Sequence, residues 1–374
     1  MKNKIYKYFF HEFIRYFTVV LFASTSIIWT IQAVNFLDLV TDDGHAFTIY
    51  IFYSFLALTK IITKLIPFSF LVASILTILK FEKDNELLLL WTSGLNKIYI
   101  VNLILKISLI IMIIQLLMTV IITPQTLNFS RSLLKNSELQ FVPSLLKEKQ
   151  FNDTVEKLTI FVDEKNTDGT YENIFIRDEG TVLTKISSGS STIFAKSAFI
   201  SEDEKNLILL NGNIQKLETD GTVSIVKFDK TLLNLSGLST KSISEPKIQE
   251  TSTIGILKCI QGIDLSNRNC ETSEESVKEN KIEINKRFGM PFFIPLISLI
   301  TCFLLSSRRD KKSFVYKRYI YFFIGFVILI CSEIAVRYSG NSLNHTAFYY
   351  LLPIILLPFI YLLLIRSFKY ENLR

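Results

Sequence analysis

Residues 82–96 read EKDNELLLLWTSGLN, and apolar stretches at Ile61–Leu79 and Ile98–Ile122 lie on either side of them. The hydrocarbon core of a bilayer is about 30 Å thick, and a helix needs roughly 20 apolar residues to cross it. Both flanking stretches meet this requirement. Residues 82–96 do not, because they begin with charged residues and their apolar part is short. The alternation of span, short amphipathic helix and second span predicts a polytopic helical membrane protein.

The composition of the whole chain agrees with this class. Its 374 residues are 49% hydrophobic and include 31 Phe, more than one soluble core of this length normally holds. Six stretches can span a membrane: Phe17–Leu37, Ile61–Leu79, Ile98–Ile122, Pro291–Leu305, Tyr319–Val336 and Phe348–Ile365. The fourth is short, and we expect its helix to begin upstream, near Phe288. The predicted fold is membrane α-helical, with six transmembrane helices in two groups of three.

A polar segment of strand-like sequence separates the two groups. After one predicted helix at 128–140 come β-branched and aromatic runs of strand length, at 157–164, 171–178, 191–200, 206–210, 212–218 and 222–229. Turn-forming sequences such as NTDG, DEG and NG lie between them. Short strands at this spacing are typical of antiparallel sandwiches and jelly rolls. We therefore predict an inserted all-β, jellyroll-like domain.

The positions of Lys and Arg predict the orientation of the helices. The amino terminus, the turn around Lys83, the loop around Lys311 and the carboxyl-terminal tail are basic, whereas the loops at 38–47 and 338–347 contain neither Lys nor Arg. Basic residues near span ends favour the cytoplasmic side. We expect an inner-membrane protein with both termini in the cytoplasm and the inserted domain in the periplasm. The predicted divisions are 1–123 for spans one to three, 124–287 for the β domain with its linkers, and 288–374 for spans four to six.

Several function classes find no support in the sequence. The net charge of +7 is concentrated at span ends, so it reflects topology and not nucleic-acid binding. The inserted segment contains no HExxH, GxSxG, phosphate-loop or clustered metal-ligand motif, which argues against an enzyme. We expect no metal and no cofactor in this chain. Cys259 and Cys270 form either a disulfide, as an oxidising periplasm permits, or two free thiols.

The short helix in residues 82–96 carries the first candidate site. Asp84 and Asn85 are possible amino-terminal caps, and a carboxylate in the first turn favours the helix dipole. A glycine near the end is typical of a helix carboxyl terminus. The helix either rests on lipid headgroups or docks into a soluble partner through its carboxylate and apolar face. The residues assigned to this site are Glu86, Leu87, Leu90, Trp91 and Gly94.

Charged residues near the outer ends of the spans form the second candidate site. Lys60 and Lys64 are one helical turn apart, and charge inside a bilayer usually faces a cavity or a partner. They either extend to the headgroups or bind the phosphates of an anionic glycolipid. Glu333 and Arg337 are also one turn apart and are expected to pair with each other. Arg337 is included in the candidate phosphate site as part of the same polar rim.

Taken together, these features resemble one family, LptF/LptG, also called YjgP/YjgQ. The resemblance rests on six helices split three and three by a β domain, on NELLLLWTSGL between spans two and three, and on EINKRFGMPFFIPL leading into span four. The hairpin sequence LLNGNIQKLETDGTVSIVKFD is similar to part of the family's periplasmic β-jellyroll. The likeness covers essentially the whole chain and slightly favours the LptF type.

The resemblance implies a lipopolysaccharide export permease of an ABC transporter. In that family two sister permeases, LptF and LptG, sit on a dimer of the ATPase LptB, and lipopolysaccharide passes to a periplasmic LptC/LptA-type bridge. Glu86 then matches the acidic position of the coupling helix, and Gly94 its closing glycine. Trp91 and Thr92 depart from the small residues usual there. The chain itself would be non-catalytic, with ATP hydrolysed by the partner.

The sequence is also compatible with two other classes of membrane protein. A mechanotransmission-type ABC permease also has a large periplasmic domain, but it has four helices and carries the domain after the first. A polytopic lipid-modifying enzyme would need an acidic or histidine site at the membrane face, for which Asp42, Asp43 and His45 form the only cluster. A scaffold without transport leaves the short helix unexplained.

Overall fold

The computed structural model describes residues 2–41, 46–136, 146, 148–153, 157–166, 168–179, 190–201, 206–217, 222–234, 247–263, 270, 274–306 and 313–371. The predicted cluster of Asp42, Asp43 and His45 lies outside the described residues. The chain divides into two compact units. The bundle unit contains Met1–Thr30, Ala57–Asn128 and Lys247–Arg374, and the β unit contains Ile31–Leu56 and Phe129–Pro246.

The described helices are numbered along the chain. They are α1 (Lys2–Asn35), α2 (Asp38–Thr41), α3 (Phe47–Lys83), α4 (Glu86–Thr92), α5 (Lys97–Leu117), α6 (Thr123–Asn136), α7 (Thr253–Ile260), α8 (Glu274–Gly289), α9 (Phe293–Cys302), α10 (Ser313–Ser339) and α11 (Leu343–Glu371). A π-helical turn at Met118–Ile122 joins α5 to α6, and a 3₁₀ turn at Met290–Phe292 joins α8 to α9.

The prediction of six membrane-spanning helices is confirmed. Within the described residues, six helical runs are long and apolar enough to cross a bilayer: Lys4–Val40, Phe47–Lys83, Lys97–Leu134, Glu274–Ser306, Tyr316–Ser339 and Leu343–Lys369. Several extend beyond the predicted apolar stretches. The first begins at Lys4, well before Phe17. In this added part, Phe9 and Phe13 lie one turn apart on one face, and both are buried with 1% of their surface exposed.

Span four forms the centre of the bundle unit. Every residue of α9 is buried, and α9 contacts α5, α10 and α11. Its hydroxyls do not need external partners, because Ser298 and Thr301 donate to backbone carbonyls three residues earlier. Close packing also explains Gly289, since a Cβ there would lie 2.1 Å from the Tyr349 ring. The shortest predicted span is therefore the most deeply packed one.

The inserted all-β domain is also confirmed. Its described strands are β1 (Phe151–Asn152), β2 (Leu158–Lys165), β3 (Thr170–Asp178), β4 (Ser191–Ile200), β5 (Asn206–Leu217) and β6 (Val223–Asn234). They form one antiparallel sheet in the order β1-β2-β3-β4-β5-β6, so each strand pairs with its neighbour in sequence. One face holds a core that includes Tyr171, Ile176, Ile193 and Leu209.

One predicted turn is wrong. The Asn211-Gly212 dipeptide, typical of a tight hairpin turn, lies inside the continuous strand β5. Asn211 adopts a φ of 50° there, and a Cβ on Gly212 would come within 2.2 Å of the Phe194 carbonyl oxygen. Leu209 before this point and Ile214 after it pack on the same core, although simple alternation would place them on opposite faces. The dipeptide therefore changes the side-chain alternation without ending the strand.

Candidate functional site

A polar pocket lies in the bundle unit where spans two, three, four and five meet. Its volume is about 200 Å³. The lining residues are Lys60, Thr63, Lys64, Pro67, Gln115, Thr119, Thr123, Pro124, Leu127, Gln249, Glu283, Lys286, Arg287, Met290 and Glu333. The structure thus brings Lys60 and Lys64 together with polar residues of three other spans.

The pocket carries more positive than negative charge. Lys286 forms an ion pair with Glu333, and Arg287 donates from Nε to Glu283 Oε1 at 2.9 Å. Lys60 and Lys64 also line the pocket, and the described residues offer neither of them a salt bridge or hydrogen bond. The lining therefore holds four cations and two carboxylates, an excess of positive charge that suits an anionic group.

Hydroxyl and amide groups complete the lining. Gln115 donates from Nε2 to the Thr63 carbonyl at 3.4 Å, and Thr63 Oγ1 lies 3.0 Å from Thr123 Oγ1. Gln115 is 2% exposed, and its Oε1 has no hydrogen-bond partner among the described residues. Thr119 belongs to the π-helical turn, a feature often found at functional sites. The pocket can therefore accept a hydrogen bond as well as bind an anion.

Arg287 fixes the rim of the pocket. Its guanidinium donates to the carbonyls of Thr251, Gln249 and Ile248 at 3.0, 3.2 and 3.4 Å and to Thr253 Oγ1 at 2.9 Å. Its side chain is 4% exposed. The last turn of α8, which carries Arg287, is thereby tied to the segment that enters α7.

Arg337 is placed differently from the two lysines. It is exposed and lines a second, more open pocket of about 580 Å³, which shares Glu333 with the polar pocket. The predicted pairing of Glu333 with Arg337 is wrong, because Glu333 instead pairs with Lys286 of the neighbouring α8. One-turn spacing makes the predicted contact possible, but the packing of α8 against α10 provides another cation.

The short helix α4 occupies the predicted position with two differences. Asn85 precedes it with a φ of 58° and provides no side-chain cap. Gly94 adopts a φ of 82°, as expected for a glycine after a helix end. Leu87 is 6% exposed, and Leu90 and Trp91 pack with it on the bundle core. The face predicted to be available is thus largely internal, and the exposed apolar residues are Leu88 (60%) and Leu89 (66%).

The helix α1 contacts α4 through one hydrogen bond and the end of α3 through further contacts. Tyr8 donates its hydroxyl to Glu86 Oε1 at 3.1 Å, and its ring lies 5.5 Å from that of Phe81. One turn along α1, Glu12 forms a 2.7 Å salt bridge with Lys80. The orientation of α4 is therefore coupled to the amino-terminal helix.

Sequence reasoning missed several of these residues. Lys286, Glu283 and Gln115 were not predicted, because their roles depend on which helix faces meet. Lys106 could have been identified from the sequence, because it is the single charged residue within the apolar stretch of span three. It is exposed in the structure.

Nearly the whole chain matches one known protein family. Residues 7–367 match the family described as lipopolysaccharide export system permease LptF/LptG. The chain belongs to the LptF/LptG permease family. Members are generally non-catalytic, and this chain is a multi-pass inner-membrane protein. The six spans, with the sheet inserted after the third, also exclude the four-helix mechanotransmission plan.

A relative in Rickettsia prowazekii (strain Madrid E), called uncharacterized protein RP871, is 26% identical over 236 residues. The aligned region covers 63% of this chain and 64% of that protein. The name of that protein states no activity, so the similarity assigns none to this chain.

Proposed function

We propose that this LptF/LptG family chain is a permease subunit of an ABC transporter, extracting lipopolysaccharide from the inner membrane and passing it to a periplasmic bridge. The observation that supports the proposal most is the pocket whose lining holds two more cations than carboxylates. It provides charge for an anionic headgroup within a bundle of membrane-spanning helices. The proposed domain arrangement is that of the sequence analysis, with the insert in the periplasm.

The depth of the pocket suits a headgroup in the outer leaflet. At 1.5 Å per residue, Lys64 lies about 28 Å along α3 from its end at Lys83. By the same measure Arg287 lies at the same distance, about 28 Å, from Ser306 at the other end of span four. Because these lengths approach the thickness of the hydrocarbon core, both residues would lie near the periplasmic boundary if the basic loops are cytoplasmic.

The chemistry of the pocket favours a phosphorylated sugar. The two surplus positive charges of the lining match the charge of phosphate. Gln115 Oε1, which has no hydrogen-bond partner among the described residues, would accept from a hydroxyl, which a sugar provides. A simple apolar ligand would leave these groups unsatisfied.

The double variant Lys60→Glu/Lys64→Glu tests the pocket. Photo-crosslinking from Thr123 to lipopolysaccharide should fall strongly, because two anions would replace the two cations, while the partner ATPase should still co-purify. Lys281→Glu is the matched control, since Lys281 is exposed on α8 and does not line the pocket. Unchanged crosslinking and transport in the double variant would show that the lysines only extend to headgroups.

For energy coupling, we propose that α4 docks on an LptB dimer that hydrolyses ATP. Glu86 would meet a cationic groove, and the exposed Leu88 and Leu89 would provide apolar contact. Glu86 is held by Tyr8 in the isolated chain, so docking would add to or replace this contact. The chain needs no bound cofactor in this scheme.

Pull-down of LptB by three variants tests the docking. Glu86→Arg should abolish recovery, since a charged contact becomes a repulsion. Glu86→Gln should weaken recovery while keeping an acceptor for Tyr8. Tyr8→Phe keeps the charge and should bind as wild type does. Full recovery with Glu86→Arg would rule out the charged contact and favour a helix that rests on headgroups.

The remaining partners are proposed from exposed surfaces. β6 is the edge strand of the described sheet, and its Val223, Ile225 and Val226 are 57–60% exposed. A strand at the edge of a sheet can accept another strand, which suits an LptC/LptA-type bridge. Spans one and five, with 6% and 17% of their apolar windows buried, would face lipid and the sister permease. A cysteine at Val226 should crosslink to the bridge, whereas one at Ile176, inside the sheet core, should not.

The topology has its own test. Cysteines introduced at Asp42 and Lys311 should be labelled from opposite sides of the membrane, because only the second lies in a basic loop. Labelling of both from one side would contradict the proposed orientation.

A further inference from the structure

The helix α7 packs against the bundle unit on one side and exposes apolar side chains on the other. Thr253, Ile256 and Cys259 are buried against the bundle unit. On the other side, Ile254 is 68% exposed and Leu257 is 41% exposed. Ile263, just beyond the helix, is 69% exposed. In water these residues would leave a row of apolar surface uncovered.

Both ends of α7 are fixed. At its start, Thr253 Oγ1 donates to the Val120 carbonyl at 2.6 Å and accepts from Arg287 Nη1 at 2.9 Å. Near its end, Cys259 forms a disulfide with Cys270. This answers the question that the sequence left open about the two cysteines. The outward direction of the apolar residues is therefore built into the fold.

The contact with Val120 places α7 at the membrane boundary. The helix α5 has 21 residues from Lys97 to Leu117, a length of about 31 Å. This equals the thickness of the hydrocarbon core, so the π-helical turn that follows, with Val120, lies at its edge. Ile121 and Ile122 in the same turn are 45% and 42% exposed. The start of α7 is hydrogen-bonded beside this exposed apolar surface.

We propose that α7 is an interfacial helix, with Ile254 and Leu257 inserted at the boundary between headgroups and acyl chains in the outer leaflet. Exposed Lys258 beside them would meet lipid phosphates. A helix with an apolar side and a cation at its border suits this position. The lipid contact would anchor the segment with Gln249 that lines the pocket rim. The proposal requires only a bilayer around the spans and does not depend on the transported cargo.

Spin labelling of the full chain in nanodiscs of phosphatidylethanolamine and phosphatidylglycerol tests this proposal. Cys331→Ala removes the exposed free thiol, Cys302 is buried, and the disulfide is retained. Single cysteines then replace Ile254 or Leu257. Ile121→Cys is the lipid-facing control, and Lys227→Cys, exposed on β6, is the aqueous control.

The measurement compares collisions with oxygen, which concentrates in lipid, and with a water-soluble nickel chelate. Labels at 254 and 257 should show a several-fold higher oxygen-to-nickel ratio than the label at 227, close to that at 121. A ratio like that at 227 would overturn the proposal. Shielding from both reagents would also overturn it, because a second protein copy would then cover α7.

Discussion

Replacing Arg287 with Ala should destabilise the bundle unit more than any exposed substitution on the same helix. The side chain is 4% exposed and makes five hydrogen bonds, one of them to Glu283. Its loss leaves a carboxylate and several carbonyls without their donor. Breaking a buried ion pair by removing one partner costs about 3–5 kcal/mol.

The lower end of that range is expected here. Glu283 is 16% exposed and can recover some hydration, which gives a cost of about 3 kcal/mol, roughly a hundredfold change in the unfolding equilibrium. Arg287→Lys should lose less, because it keeps the charge but not the planar fork of donors.

Unfolding by denaturant in detergent micelles measures the effect. Lys281→Ala, an exposed substitution on α8, is the matched control. Arg287→Ala combined with Glu283→Gln should recover part of the loss, because no unpaired carboxylate remains. Equal unfolding midpoints for Arg287→Ala and Lys281→Ala would show that the buried hydrogen bonds of Arg287 do not stabilise the bundle unit.

Two further predictions concern single residues. Gly94→Ala should destabilise the end of α4 by about 1 kcal/mol, because its φ of 82° disfavours a side chain even though the space is open; faster limited proteolysis at this turn would report it, and unchanged proteolysis would contradict it. Glu333→Gln should strengthen glycolipid crosslinking in the pocket, since it frees Lys286 from its ion pair; weaker crosslinking would show that Glu333 positions Lys286 instead of competing for it.

The number of spans and the presence of the β insert follow from the amino-acid sequence alone. Both depend on local properties, namely runs of apolar residues and alternating β-branched residues between turns. The position of α4 was equally local, because Gly94 marks its end. Local sequence patterns gave a wrong prediction where pairing with neighbouring strands decides the backbone conformation. Asn211-Gly212 continues a strand because β4 and β6 pair on both sides of it.

The tertiary structure alone decided which residues form the sites. Periodicity placed Lys60 and Lys64 on one face, but only the packing of four spans added Gln115, Lys286 and Glu333 to their pocket. Spacing along a helix cannot identify a partner on another helix. For the same reason, the sequence identified the apolar residues of α4 but not which of them are buried, since burial depends on the surface against which a helix packs.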